Sequence, residues 1–166
     1  CIGTTNAQQN LKLQKDNIKE IVKALTLEEK ANLVLGVGDE GVWKHYKTTG
    51  VIVLKGQACA TYAVPRLGIP NTVLTDGPAG IKIDTIQNNV DHPTYATAFP
   101  SATTLASSWN KELVQKVGAA IGNETLEYGS DMLLGPGMNI QRNPLAGRNF
   151  EYYSEDPFVS GEMAAA

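Results

Sequence analysis

Apolar positions along the chain change their spacing several times, and each change marks an element. From Asp16 they fall at Ile18, Ile21, Val22 and Leu25, the stripe of a helix with one buried face. Thr26 followed by Glu29 is a capping box, so a second helix starts there. Ala31, Leu33 and Val34 carry it to Gly36, a residue suited to a C-terminal stop. Gly36 to Gly50 is irregular. Val51–Leu54 is a short, mostly β-branched run that reads as a strand, and 56–66 reads as a loop. Val73-Leu74-Thr75 is a buried strand that runs straight into Asp76-Gly77-Pro78-Ala79-Gly80, a carboxylate followed by turn residues. After a polar loop from Asp84 to Pro100, Thr103–Ala106 reads as a short strand. Asn110 is a good N-cap, and Leu113, Val114, Val117, Ala120, Ile121 and Leu126 give a helix that stops at Gly129. Met132-Leu133-Leu134 is the next buried strand. It feeds the glycine- and proline-rich loop Gly135–Pro144 and then Gly147–Tyr153. Asp156-Pro157 opens a last helix through Phe158, Val159 and Met163. That helix reaches Ala166 with no C-cap signal, which reads as a chain cut from a longer one.

Strands alternating with helices imply parallel strands joined by helical crossovers, an α/β fold. Long polar and glycine-rich loops follow the strand ends, whereas the links from helix to strand are short. A (β/α)8 barrel of the TIM type has that asymmetry, because its sites sit on the loops after the strands. Such barrels need about 250 residues, so this chain supplies the N-terminal part. A doubly wound open sheet fits the alternation nearly as well, although no G-x-G-x-x-G follows a strand. The domain reading is a flexible lead-in over 1–14 and a partial barrel domain over 15–166.

Composition narrows the classes. The 166 residues are 42% apolar and 19% charged, with a net charge of −3, ordinary for a globular domain with its own core. Lys and Arg are scattered, so nucleic acid is not expected as a partner. No apolar run approaches the roughly 20 residues of a membrane span. The two cysteines, Cys1 and Cys59, have no metal-ligand spacing and do not make a disulfide framework. Two free thiols is the plain reading. Cys1 followed by the polar stretch to Asn10 also suits a lipid-anchored tether, and the same stretch suits the tail of a signal peptide cleaved after Ala7 or Gln8. Both of these point to export: a periplasmic, outer-membrane-associated or secreted protein.

Two residues stand out for chemistry. Asp76 lies at a strand end in a tight Gly-Pro turn, where a carboxylate is held rigidly on the ligand side of a barrel. Its two oxygens can accept hydrogen bonds from adjacent sugar hydroxyls. It can equally cap the following turn, as Asp-Gly often does. Arg148 lies in a run from Gly147 to Pro157 that packs one Arg, three carboxylates and three aromatics together. Its fork can bind sugar hydroxyls, or lock a neighbouring carboxylate such as Glu151 in a structural ion pair with the aromatics as core. Other candidates are weaker. His45 and His92 are isolated, and Asp91-His92 is only half of an acid–base or metal pair. Ser101, Ser107 and Ser108 lack a G-x-S-x-G context, and Gly135-Pro136-Gly137 lacks the Lys-Ser/Thr of a phosphate loop.

Taken in order, several segments resemble glycoside hydrolase family 3. They are Thr26–Lys30, Val64–Pro70, Thr75-Asp76-Gly77-Pro78-Ala79-Gly80-Ile81, Thr97–Ser101, Ala106–Asn110, Gly135–Ile140 and Gly147–Pro157, and together they cover about 24–166. The resemblance implies the N-terminal barrel domain of a retaining, exo-acting β-glucosidase-like enzyme. It is expected to act on terminal non-reducing β-D-glucosyl or related residues in carbohydrate metabolism. Retention uses two carboxyl groups about 5–5.5 Å apart. In the family the nucleophile is an Asp late in the barrel, and the acid/base usually comes from a C-terminal domain. The resemblance therefore places neither within these residues, and puts a sugar-holding Lys-His pair beyond Ala166. What carries over is the floor of the terminal-sugar subsite. Asp76 matches the family Asp that grips hydroxyls far from the glycosidic bond, and Arg148 matches the Arg nearby. Lys82 stands where many members have Arg; it keeps the charge and loses the bidentate fork, which leaves open the contact at that end of the sugar. Glu151 matches the residue that orients Arg148. The chemistry requires no metal or organic cofactor. A sugar-binding protein without catalysis, on the same loops, is the alternative. The remainder of the chain is the partner that would complete the barrel, and the open part-barrel is expected to leave apolar strand surface exposed.

Overall fold

The structure is a computed structural model that describes residues 11–36, 56–84 and 95–166. The readings on Cys1, His45, Val51–Leu54, Asp91 and His92 lie outside the described residues.

Helices α1, Ile18–Ala24, and α2, Leu27–Leu35, form where the apolar stripe and the capping box place them. Ile21 and Leu25 pack on Val64 and Leu67. The capping box is reciprocal: Glu29 N–H donates to Thr26 Oγ1 at 3.1 Å, and Thr26 N–H donates to Glu29 Oε2 at 2.8 Å. Glu29 also receives Arg66, which lies in the 3-10 turn Pro65–Leu67. Arg66 Nε donates to Glu29 Oε1 at 2.7 Å, and a terminal nitrogen reaches both Glu29 Oε2 and, at 2.8 Å, the carbonyl of Ala24. One guanidinium thus ties the end of α1, the start of α2 and the 3-10 turn.

Those bonds, from Arg66 first and the Thr26 backbone second, hold the Glu29 pKa at about 2 against an ordinary 4.5. A carboxyl with a depressed folded pKa contributes stability that is complete above its unfolded value and is lost as pH falls towards its folded one. The wild-type melting temperature should therefore fall between about pH 4.5 and about pH 2 more steeply than that of Arg66→Met. Parallel curves would remove the clamp from the stability of the fold. Because the pair is exposed, the difference should be modest.

Three short strands form one sheet: β1, Cys59–Ala60, β2, Val73–Asp76, and β3, Met132–Leu134, in the order β1-β2-β3. β2 and β3 are parallel, with Leu74 opposite Met132 and Asp76 opposite Leu134, as a helical crossover requires. β1 corrects the loop reading of 56–66. It runs antiparallel to β2, with Cys59 opposite Leu74, and is flanked by Ala58 N–H to Leu74 O and Thr61 N–H to Thr72 O, each 2.9 Å. Two residues carry no periodicity, so only pairing with β2 defines this strand.

The crossover contains α3, Ala102–Ser107, and α4, Lys111–Glu127. α3 corrects the strand reading of Thr103–Ala106. Ala102, Leu105 and Ala106 are the buried residues, a helical spacing, and Ser101 caps the helix by accepting from Thr104 N–H. α4 is capped by Asn110 as expected and buries Val114 and Ile121, while Leu113 and Leu126 of its stripe are exposed. The last helix, α5, Pro157–Ala165, starts at the Asp156 cap. Ala102, Leu105, Ala106, Val114, Tyr153 and Met163 make the main cluster where α3, α4 and α5 meet. Burial of each large side chain there contributes about 1.5–3 kcal/mol. Met132 and Leu134 of β3 remain 49% and 40% exposed, which corrects the buried reading of this strand and is the uncovered strand surface expected of a part-barrel.

Candidate functional site

Asp76 is the last residue of β2, in register with Leu134, the last of β3. The strands are parallel, so the loops after both leave the same edge of the sheet. Loops far apart in sequence therefore start from one end of the sheet. The turn after Asp76 is closed by main chain: Gly80 N–H donates to Gly77 O at 3.2 Å and Lys82 N–H to Asp76 O at 2.9 Å. Among the described residues the Asp76 carboxylate, which is exposed, has no hydrogen-bond partner, so the turn-capping role is not the one it fills.

The loop after β3 touches the Asp76 turn and then the Arg148 segment. A Cβ on Gly135 would lie 3.4 Å from Gly77 O, and one on Gly137 would lie 2.7 Å from Glu151 O. Glycine at both positions lets three stretches of backbone come together. Arg148 stands at the N-cap position of the 3-10 turn Asn149–Glu151 without a capping side-chain bond, and its Nε donates to Glu151 Oε1. The Glu151 side chain is 13% exposed and that of Arg148 72%. The Arg148 pKa is raised by Glu151 first, with a further contribution from the charge of Asp76. The two residues stand on the loops that follow β2 and β3, and among the described residues no hydrogen bond or ion pair joins them.

The ion-pair and ligand readings of Arg148 are compatible. Glu151 engages only Nε, and the four N–H donors on the two terminal nitrogens have no partner among the described residues. Glu151 therefore orients a guanidinium whose free edge points to solvent. Lys82 is tied to Asp76 through its backbone, and its exposed side chain adjoins a shallow cleft with Gly80, Tyr95 and Thr97. It has no ion-pair partner among the described residues, and its ammonium is not brought to Arg148 by any recorded contact. The three aromatics of the run divide: Tyr152 and Tyr153 are buried, and Phe150 is exposed. Cys59 is a free thiol and half-buried. No cluster of three or more His, Cys, Asp or Glu side chains suited to a metal ion occurs among the described residues.

Asp76 and Arg148 are thus an exposed anion and an exposed cation with open hydrogen-bonding edges, on loops that leave the same end of the sheet. Gln141, in a loop, and Thr103, on α3, brace the Arg148 turn and were not legible beforehand, since a single polar residue carries no distinguishing pattern.

Residues 44–166 match the family model described as Glycosyl hydrolase family 3 N terminal domain. The thermostable beta-glucosidase B of Acetivibrio thermocellus is 46% identical over 157 residues, 90% of this chain and 18% of that protein. An exo-alpha-(1->6)-L-arabinopyranosidase of Bifidobacterium longum is 42% identical over 147 residues, 86% of this chain and 17% of that protein. The solved structure of beta-glucosidase 3B from Thermotoga neapolitana, in complex with alpha-D-glucose, superposes with a TM-score of 0.79 at 52% identity. The match covers 90% of this chain and 20% of that one. The chain spans about a fifth of the length of these relatives.

Proposed function

This chain belongs to glycosyl hydrolase family 3, as part of its N-terminal (β/α)8 barrel domain, and from that premise we propose that the full-length protein hydrolyses terminal β-D-glucosyl residues with retention of configuration. The observation that carries the reading is the parallel register of β2 and β3, which starts the loops of Asp76 and Arg148 from the same end of the sheet. In this role Asp76 accepts hydrogen bonds from two adjacent hydroxyls of the terminal sugar, and Arg148 donates to a neighbouring one. Glu151 holds the guanidinium in place. Lys82 supplies positive charge at the same end of the ring, as a point donor without a fork. These groups bind and orient the sugar. The covalent chemistry falls to two carboxyl groups that the family reading places in the remainder of the chain.

Relatives named as β-glucosidases, and one solved with glucose bound, support the glucosyl choice. They favour hydrolysis over binding alone. The arabinopyranosidase relative supports a related pyranoside as a competing substrate. Export, with Cys1 as a lipid anchor or as part of a processed leader, is proposed on the polar lead-in alone.

The test uses the full-length protein with p-nitrophenyl β-D-glucopyranoside and p-nitrophenyl α-L-arabinopyranoside. Faster release from the glucoside is expected, with the β-anomer of glucose as the first product seen by NMR. Release of the α-anomer first, or no release from either compound, would overturn the proposal.

A further inference from the structure

We infer that Gln141 is a positioning residue for Arg148 that acts alongside Glu151, by fastening the turn that carries both to helix α3. The inference rests on the reading of Arg148 as a sugar-binding group. Gln141 Nε2 lies 3.0 Å from Asn149 O, 3.1 Å from Tyr152 O and 3.0 Å from Thr103 Oγ1. Its two protons are shared among three oxygens. Thr103 Oγ1 in turn donates to Tyr152 O at 2.7 Å. The backbone N–H of Gln141 donates to Ser154 O at 3.1 Å. Asn149 and Tyr152 bracket the 3-10 turn whose N-cap is Arg148 and whose last residue is Glu151. One amide thus holds the start and the end of the segment that carries both partners of the ion pair.

Other bonds of this loop run along the loop itself. Asn149 Nδ2 donates to Asn143 O at 2.7 Å, and Leu145 N–H donates to Asn143 Oδ1 at 2.9 Å. Among the described residues the Gln141–Thr103 pair is the hydrogen-bonded link from this turn to a helix. The chemistry selects an amide. A carboxylate would face three acceptor oxygens with no proton to give, and an apolar side chain would leave Asn149 O without its side-chain donor. Arg148 is 72% exposed, so little packing fixes it, and its aim depends on Glu151 and on the backbone that both stand on. Misplacement of such a group by about 1 Å can cost on the order of 100-fold in rate.

The experiment is a double-mutant cycle on kcat/KM for p-nitrophenyl β-D-glucopyranoside in the full-length protein, with Gln141→Met and Arg148→Ala. Gln141→Met is expected to lower kcat/KM by roughly 10- to 100-fold in the wild-type background. In the Arg148→Ala background it should lower it by less than about twofold, because the group it aims is gone. Equal losses in both backgrounds would mean a general structural role and would overturn the inference. So would an unchanged Gln141→Met beside a damaged Arg148→Ala. An unchanged Arg148→Ala would instead sink the sugar-binding reading on which the inference stands. Should Gln141→Met not accumulate as folded protein, Thr103→Val enters the same cycle, with the same two outcomes read the same way.

Discussion

Asp76→Ala is expected to lower kcat/KM for p-nitrophenyl β-D-glucopyranoside by about 10²- to 10⁴-fold in the full-length protein, with its unfolding transition unchanged. The magnitude follows from two charge-assisted hydrogen bonds, each about 1.5–3 kcal/mol once dry. Their sum is about 3–6 kcal/mol, at roughly 1.4 kcal/mol for each tenfold in rate. The loss should appear in kcat as well as KM, since grip on the remote hydroxyls steadies the ring as it distorts at the anomeric carbon. The fold should survive because Asp76 is exposed, its carboxylate has no partner among the described residues, and the turn behind it is closed by backbone bonds from Gly80 and Lys82. A loss below tenfold would take Asp76 out of the sugar contact. A lowered melting temperature would mean that it holds the turn after all.

Gly80→Ala should have the largest effect on stability. Gly80 has φ +118°, and a Cβ there would stand 2.3 Å from Thr97 O and 3.1 Å from Phe99 Cδ2. Thr97 cannot retreat freely, because its N–H and hydroxyl both donate to Glu124 Oε1, at 2.9 and 3.0 Å. Phe99 is likewise held, its N–H donating to Ala79 O at 2.9 Å. A non-glycine residue in this conformation costs about 1–3 kcal/mol, and forcing an extra methyl into a filled contact costs about as much again. The total, about 2–6 kcal/mol, is a large share of the roughly 5–15 kcal/mol that holds a domain together. Gly161→Ala is the contrast. It sits within α5 with nothing within 4 Å of the added carbon, so it should be neutral or stabilising by up to about 1 kcal/mol. Denaturant midpoints of the two variants measure this directly. If Gly80→Ala unfolds at the same midpoint as Gly161→Ala, the close approach of these loops is not what holds the Asp76 turn.

Both predictions concern one short turn, and the route by which each was reached differs. Asp76 was visible in the sequence as a carboxylate at the end of a buried strand, and its candidacy needed no coordinates. The demand for glycine at Gly80 was not visible, because it comes from Thr97, on a loop that returns to the turn from elsewhere. The same division runs through the helices. Thr26 with Glu29, Asn110 and Asp156 announced three helix starts, because a cap is a local bargain between a side chain and the next turn's N–H groups. Thr103–Ala106 was misread as a strand, since four residues hold too little period to separate the two spacings. β1 was missed for a related reason: two residues become a strand only by lying against β2.

Local chemistry, then, was enough to set the alternation of strand and helix, the caps, and the two charged residues at strand-end loops, since each depends on neighbours within a turn or two of chain. What needed the tertiary structure was the arrangement that starts their loops from one end of the sheet. The parallel register of Asp76 with Leu134, the glycine contacts that draw the loops together, and the Gln141–Thr103 fastening all join residues separated by long stretches of sequence. Contacts of that kind leave no periodic trace, because the chain closes them only through the packing of the helices between.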